Sequence, residues 1–221
     1  LGFDVKVAHL DHRFRGEESR RDSAFVRELA DRFGVECICA EENVPRFLMS
    51  NAMSGQEAAR LLRYQFLVKT SKLEYCQRIA TGHNADDQAE TVLMRVLRGA
   101  GPDGLAGIPH KREGIIIRPI LGCWRDEIED YLARHDLPFR TDSSNLKSKY
   151  FRNEIRNDVL PYLARFNPQI SRSLAGLATI MADVSRHLDR LTDLAMPELL
   201  KMARFGQFVL DLDKLAGYDE A

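Results

Sequence analysis

Residues 78–101 read RIATGHNADDQAETVLMRVLRGAG, and the fold follows from how this stretch is parsed. Ile79-Ala80-Thr81 is a short apolar run that suits a buried strand, and Gly82-His83 turns the chain out of it. Asn84 stands where a helix cap is needed. Asp86, Asp87 and Glu90 follow in the first turns, and Arg95 and Arg98 come in the last. At about 100° per residue, Ala85, Ala89, Val92, Leu93 and Val96 share one face and form the packing stripe. Asp87, Thr91 and Arg98 fall on another face, with Glu90 between it and the stripe. A strand feeding a helix through a glycine turn is where open α/β sheets hold ligands. The same charges also suit the helix dipole, so composition alone leaves both a structural and a functional reading of the carboxylates.

Working outward, Val5 to Ala8 reads as a strand ending in His9-Leu10-Asp11-His12, and Glu18 to Phe33 reads as a helix with Phe25, Leu29 and Phe33 on one face. Val35 to Ala40 is the next strand. A loop through Val44-Pro45 leads to Ser54-Gly55-Gln56-Glu57, a capping-box signature for a helix to about Lys72. Beyond the central stretch comes a glycine-rich break at 99–107, then a buried strand at Ile115-Ile116-Ile117 and a helix from Trp124 to Arg134. This alternation predicts an α/β fold: a Rossmann-like parallel sheet with helices on both faces, over residues 1–165. Residues 166–221 are expected to form a helical segment. A long helix runs there from Pro168 to about Ala195, Pro197 interrupts it, and a further element starts near Phe208.

The chain has 221 residues and a formal net charge of −1, so bulk electrostatics gives no argument for nucleic-acid binding. Local patches do: Arg118, Lys147, Lys149, Arg152 and Arg156 are interleaved with Tyr150 and Phe151, although a basic helix is often merely solvated. No apolar run reaches the roughly 18 residues that span a bilayer, so no membrane role is expected. Cys37, Cys39, Cys76 and Cys123 contain no C-x-x-C pair and read as reduced thiols of a cytoplasmic protein. His9, Asp11 and His12, taken with His83, Asp86 and Asp87, are suitable metal ligands. The metallo-β-lactamase pattern H-x-H-x-D-H fails at Val7, however, and no metal site is assigned. Arg60 and Arg63 lie one turn apart beside Tyr64, in a geometry that suits phosphate.

Taken together, Ala8-His9-Leu10-Asp11-His12-x-x-Arg15, Glu57-Ala58-Ala59-Arg60-x-x-Arg63-Tyr64, Gly82 to Thr91, Arg98-Gly99-x-Gly101, Arg118-Pro119, Asp142-x-Ser144-Asn145 and Arg152-Asn153-x-x-Arg156 occur in a fixed order. They resemble the tRNA(Ile)-lysidine synthetase family of the N-type ATP pyrophosphatase, or PP-loop, superfamily, whose fold is adenine nucleotide alpha hydrolase-like. The resemblance implies a C–N ligase that uses ATP with Mg2+. It adenylates the wobble cytidine of tRNA(Ile) with a CAU anticodon, and L-lysine then displaces AMP. It further implies Asp87, Glu90 and Arg98 as catalytic residues, and His83, Arg60, Arg63 and Asp86 at the nucleotide. Arg118, Asn145, Arg152 and Arg156 would hold tRNA. A homodimer is compatible with this reading, and the C-terminal segment would begin a tRNA-binding domain. The family's Ser-Gly-Gly-x-Asp-Ser loop, which precedes the segment matching Leu1 to Asp4, has no counterpart here. Strands starting near Val5 and Arg78 are therefore expected to lack a shared neighbour, and the chain alone to be an inactive fragment. A sister PP-loop tRNA-modifying enzyme, or a non-catalytic nucleotide- or RNA-binding module, are the alternatives.

Overall fold

The computed structural model describes residues 2–14, 16–50, 52–140, 151–204 and 207–218. The chain divides into two compact units. The first comprises 1–81, 111–119 and 138–140, and the second 82–110, 120–137 and 141–221.

In the first unit, β1 (Val7–Asp11) and β2 (Cys37–Glu41) pair in parallel, with Val7 opposite Cys37 and Asp11 opposite Glu41. Parallel neighbours need a crossover, and helix α1 (Glu17–Arg32) supplies it. Ala30 is the buried residue of α1. Phe33, expected on its packing face, lies beyond the last helical turn and is 55% exposed. The stretch around Val44-Pro45, read as loop, holds a short helix α2 (Val44–Leu48), which Asn43 caps through Arg46 N–H. Helix α3 (Gly55–Leu73) starts at the expected capping box, in which Ser54 N–H donates to Glu57 Oε2 and Glu57 N–H donates to Ser54 Oγ.

A second ladder pairs β3 (Ile79–Ala80) in parallel with β5 (Ile116–Ile117), and β4 (Lys111–Arg112) adds to β5 antiparallel. The turn from β4 to β5 uses Glu113 and Gly114, both with positive φ. Sequence reading missed β4 because a two-residue Lys-Arg strand carries no apolar period. Among the described residues β1–β2 and β3–β5–β4 are separate ladders.

The second unit is built around α4 (Ala85–Val96), which packs on the long helix α9 (Ile170–Leu199). Ala89, Val92 and Leu93 of α4 meet Leu174 and Ala178 of α9 and Ile155, all buried. Small residues at 89 and 178 let the two helices approach closely. Around this pair lie α5 (Pro102–Leu105), α6 (Arg125–Arg134), and a helical run that changes pitch: α7 (Phe151–Glu154), one π-helical turn (Ile155–Val159), then α8 (Leu160–Ala164). Helix α9 continues through Pro197 rather than stopping before it. The proline sits in the last turn, so its missing N–H and ring disturb little helix, and the chain leaves at Leu200. A hairpin of β6 (Leu200–Arg204) and β7 (Gln207–Leu210) follows, then α10 (Leu212–Leu215), which Asp211 caps. No helix among the described residues is long and apolar enough to cross a membrane.

Candidate functional site

In the first unit, chemistry gathers at the carboxyl end of β1. Asp11 is buried and spends Oδ1 on the Arg13 N–H at 2.7 Å, and Arg13 Nε reaches Glu41 Oε2 at 2.9 Å. His12 stands next to the α3 arginines, with Arg63 Nη2 3.4 Å from its Nε2. Burial first, then the Arg63 charge, push the His12 pKa down to about 4, so the ring is neutral. Its Nδ1 is shut off from water without a partner among the described residues, as is the Tyr64 hydroxyl. Arg63 keeps part of its surface in solvent, yet burial, followed by Arg60, holds its pKa below the ordinary arginine value. Arg60 stacks 5.0 Å from the Tyr64 ring centroid. The result is a basic cluster whose arginines have no carboxylate hydrogen-bonded to them among the described residues. An anion with several oxygens fits such a cluster.

In the second unit the carboxylates of α4 are engaged. Asn84 and Asp87 form a reciprocal cap: Asp87 N–H donates to Asn84 Oδ1 and Asn84 N–H to Asp87 Oδ2, both at 3.0 Å. The other Asp87 oxygen, Oδ1, accepts from Arg152 Nη2 at 2.9 Å. Glu90 is only 1% exposed and is clamped by two guanidinium groups. Arg156 Nε reaches Oε1 at 2.5 Å, while Arg152 Nε at 2.7 Å and Arg156 Nη2 at 3.1 Å reach Oε2. Burial opposes the Arg156 cation, but the Glu90 hydrogen bond, with the charges of Glu90, Asp87 and Asp86, outweighs it and raises its pKa. The π-helical turn lies between Arg152 and the end of this run, and such turns recur at functional sites. Asp86 accepts the Arg125 N–H at 2.9 Å, which anchors the start of α6.

The residues singled out in the sequence therefore distribute unevenly. Arg60 and Arg63 form the basic cluster with His12. Asp87 and Glu90 form an ion-pair cluster with Arg152 and Arg156, the two arginines expected at tRNA. Arg98 does not ride on α4, because the helix ends at Val96 and Gly99, with φ +73°, carries the chain away. Its guanidinium stacks on Phe151 at 5.7 Å. His83 is half-buried in the turn before α4, and Arg118 is an interior residue of the first unit at 2% exposure. Asn145 lies outside the described residues. Two further residues hold the backbone around the carboxylates. Gln88 brackets Ile108 with two hydrogen bonds, and Arg95 Nη1 donates to Gly107 O at 2.8 Å. Gly107 has φ +70°, a conformation that strains any other residue, and a side chain there would also displace the Gln88 amide that brackets the loop. Both bonds reach from α4 to a loop that its helical period does not predict.

Comparison with known proteins identifies the family and the fold. A family model described as the PP-loop domain matches residues 1–163. The chain is 41% identical over 192 residues to the tRNA(Ile)-lysidine synthase of Bacillus cereus (strain ATCC 10987 / NRS 248), covering 86% of this chain and 40% of that protein. It is 37% identical over 216 residues to the tRNA(Ile)-lysidine synthase of Geobacter sulfurreducens (strain ATCC 51573 / DSM 12127 / PCA), covering 97% and 46%, and 35% identical over 214 residues to that of Clostridioides difficile (strain 630), covering 96% and 46%. The chain thus spans less than half the length of these relatives. Among solved structures, the U34-tRNA thiolase NcsA from Methanococcus maripaludis with its [4Fe-4S] cluster superposes with a TM-score of 0.59 at 19% identity, covering 79% of this chain and 60% of that one, which establishes the fold alone. The fold is the adenine nucleotide alpha hydrolase-like α/β class, with a helical C-terminal part. With the model matched across 163 of its 221 residues, the chain belongs to the PP-loop domain family of ATP-binding proteins.

Proposed function

We propose that the protein carrying this chain joins L-lysine to the wobble cytidine of a tRNA(Ile) with a CAU anticodon, consuming ATP and releasing pyrophosphate and AMP. The observation that carries this reading is the 37% identity to a tRNA(Ile)-lysidine synthase across 97% of the chain, a span that includes both charged clusters. The chemistry has two steps. The cytidine C2 oxygen attacks the α-phosphorus of ATP and pyrophosphate leaves, which turns a poor leaving oxygen into a good one. The amine then forms the C2–N bond as the C2–O bond breaks and AMP departs with the electron pair.

The residues suit these demands separately. Arg60 and Arg63, with neutral His12 beside them, offset polyphosphate charge and the negative charge that grows on the leaving pyrophosphate. Mg2+ belongs to this proposal as the ion that ATP brings, held chiefly by phosphate oxygens, since it favours a few carboxylates plus phosphates and water. Asp87 provides the negative side of the amine site, with buried Glu90 holding its arginine neighbours in place, and His83 is assigned to the nucleotide. Arg152 and Arg156, which neutralise these carboxylates, face the RNA together with Asn145. The exposed Arg98 adds charge at the same RNA strand. A cytoplasmic location and a homodimer go with the same proposal.

Incubating the intact gene product with tRNA(Ile), ATP and L-lysine, then digesting the RNA and analysing its nucleosides, tests it. Lysidine, formed only when ATP is present, is expected. ATP cleavage to AMP without any cytidine modification would overturn the assignment.

A further inference from the structure

Two thiols that the proposed reaction does not use meet on one face of β2. Cys37 and Cys39 alternate in the strand, so their side chains leave it on the same side, and their Sγ atoms lie 3.5 Å apart. Both are half-buried and neither is in a disulfide. Helix α1 brings charge to this face. Its Arg27 side chain hydrogen-bonds to Cys39, and its Asp31 lies near Cys37. His9 stands opposite Cys39 in the ladder, and burial above all holds its pKa below the ordinary histidine value. The positive charge beside the sulfurs is therefore that of Arg27.

Arg27 makes the two thiols unequal. A thiolate, not a thiol, is the nucleophile, and a guanidinium on the sulfur favours that form. The Cys37 thiol is pushed up to about 11, first by burial and then by its contact with the Cys39 sulfur, so it keeps its proton while Cys39 is free. We propose that Cys37 and Cys39 form a reversible oxidation site that exchanges with low-molecular-weight disulfides of the glutathione class. The Cys39 thiolate attacks one sulfur of the incoming disulfide, whose S–S bond breaks as the first small thiolate leaves with the electron pair. Capping Cys39 removes the contact that kept Cys37 protonated. Cys37 then gives its proton to water and attacks Cys39 Sγ, and the second small thiolate leaves. Two protein thiols are oxidised by two electrons in all, and one small disulfide is reduced to two thiols. Alternate residues of a strand place their Cα atoms about 6.4–6.8 Å apart, at the upper limit of about 6.8 Å for a disulfide. The bond therefore forms under tension and is readily reduced again. It uses none of the backbone groups that pair β1 with β2.

The test takes the intact gene product through buffers that step from reduced to oxidised glutathione, followed by acid quench, alkylation and tryptic digestion. Residues 33–46 make one tryptic peptide that carries Cys37 and Cys39 and no other cysteine. In reduced glutathione both cysteines of this peptide should be alkylated. In oxidised glutathione neither should be, the peptide should have the mass of an internal disulfide, and dithiothreitol should reverse the change. Cys37→Ser should stop with glutathione bound to Cys39. Cys39→Ser should take up glutathione at Cys37 about tenfold more slowly than that. Arg27→Met should slow oxidation of the pair about tenfold or more, the scale of one charge-assisted hydrogen bond. A peptide that stays fully alkylated in oxidised glutathione, or that stops at the mixed disulfide, would overturn the inference, and this measurement needs no variant to fold. Equal rates at the two cysteines, or equal rates with and without Arg27, would overturn the order of attack.

Discussion

Two arginine pairs on helical segments meet opposite fates in this chain. Arg60 and Arg63 on α3 crowd each other and His12, and no carboxylate is hydrogen-bonded to them among the described residues. Arg152 and Arg156 are locked onto Glu90 and Asp87. At Arg63 burial and the neighbouring Arg60 charge disfavour the cation, so an incoming anion relieves a cost already present there. The second pair has its charge satisfied, so a ligand gains there only by exchanging partners, and exchange discriminates by the ligand's own charge pattern. Unpaired charge suits affinity for phosphate, and paired charge suits selection of an amino acid.

The sharpest way to break this comparison is Glu90→Ala. Truncating the buried member of this cluster takes away the carboxylate that both guanidinium groups share, and breaking a buried pair typically costs about 3–5 kcal/mol. For a chain of this size each kcal/mol moves the melting temperature by about 2–4 °C, so a fall of roughly 6–20 °C is expected on thermal unfolding. A loss within about 1 °C would mean that Arg152 and Arg156 are satisfied elsewhere and that the cluster is not the anchor described here.

Arg63→Met should do the reverse. Removing a partly desolvated cation with no carboxylate hydrogen-bonded to it among the described residues leaves stability unchanged or slightly higher. The KM for ATP should rise about 10- to 100-fold, the worth of one charge-assisted hydrogen bond to a phosphate oxygen. If the variant unfolds early while ATP use is intact, Arg63 is a structural residue and the contrast between the two pairs collapses.

Local features of this fold were legible in the sequence, and distant ones were not. The capping box of Ser54 with Glu57 and the cap at Asn84 depend on residues close in sequence and were readable directly, whereas the reciprocal bond from Asn84 N–H to Asp87 was not anticipated. The stripe Ala85, Ala89, Val92 and Leu93 was readable from its period, and all four are buried. Val96, the last of the stripe, is 45% exposed because the helix ends there. By contrast, Glu90 meets Arg152 across 62 residues and Arg156 across 66, and no periodicity carries that information. The spacing of Arg152 and Arg156 was visible and suggested an RNA-facing pair. Only the packing of Ile155 into the α4–α9 core turns that pair onto the carboxylates. Arg98 shows the same limit on a smaller scale, since a positive φ at Gly99 moved it off a helix to which its spacing had assigned it.

Asn84→Ala separates the two tasks of Asp87. It removes the acceptor for Asp87 N–H and leaves the Arg152 bond untouched, so the loss should be about 1 kcal/mol, typical of an N-cap. Lysine KM should change little. A large rise in lysine KM with a small stability loss would mean that the cap, rather than the arginine, orients Asp87.

The smallest effect should come from His12, and it bears on the other cluster. Its folded pKa of about 4 lies below the ordinary value, so the unfolded chain takes up the proton more readily. His12 therefore contributes no pH dependence above the ordinary histidine range. It subtracts stability as pH falls from about 6.5 toward about 4, and His12→Gln should flatten the urea midpoint across that window. Part of the ring surface stays wet and is screened by solvent, so the difference between the two proteins should be modest. Nucleotide sharpens the point. Arg63 is the nearest charge lowering this pKa, so polyphosphate bound at Arg63 should raise the His12 pKa toward the ordinary value, visible as an upfield-to-downfield titration of its ring protons at higher pH. A His12 titration that ATP leaves unmoved would mean that the phosphates lie away from Arg63, and the unpaired arginines would then need another anion.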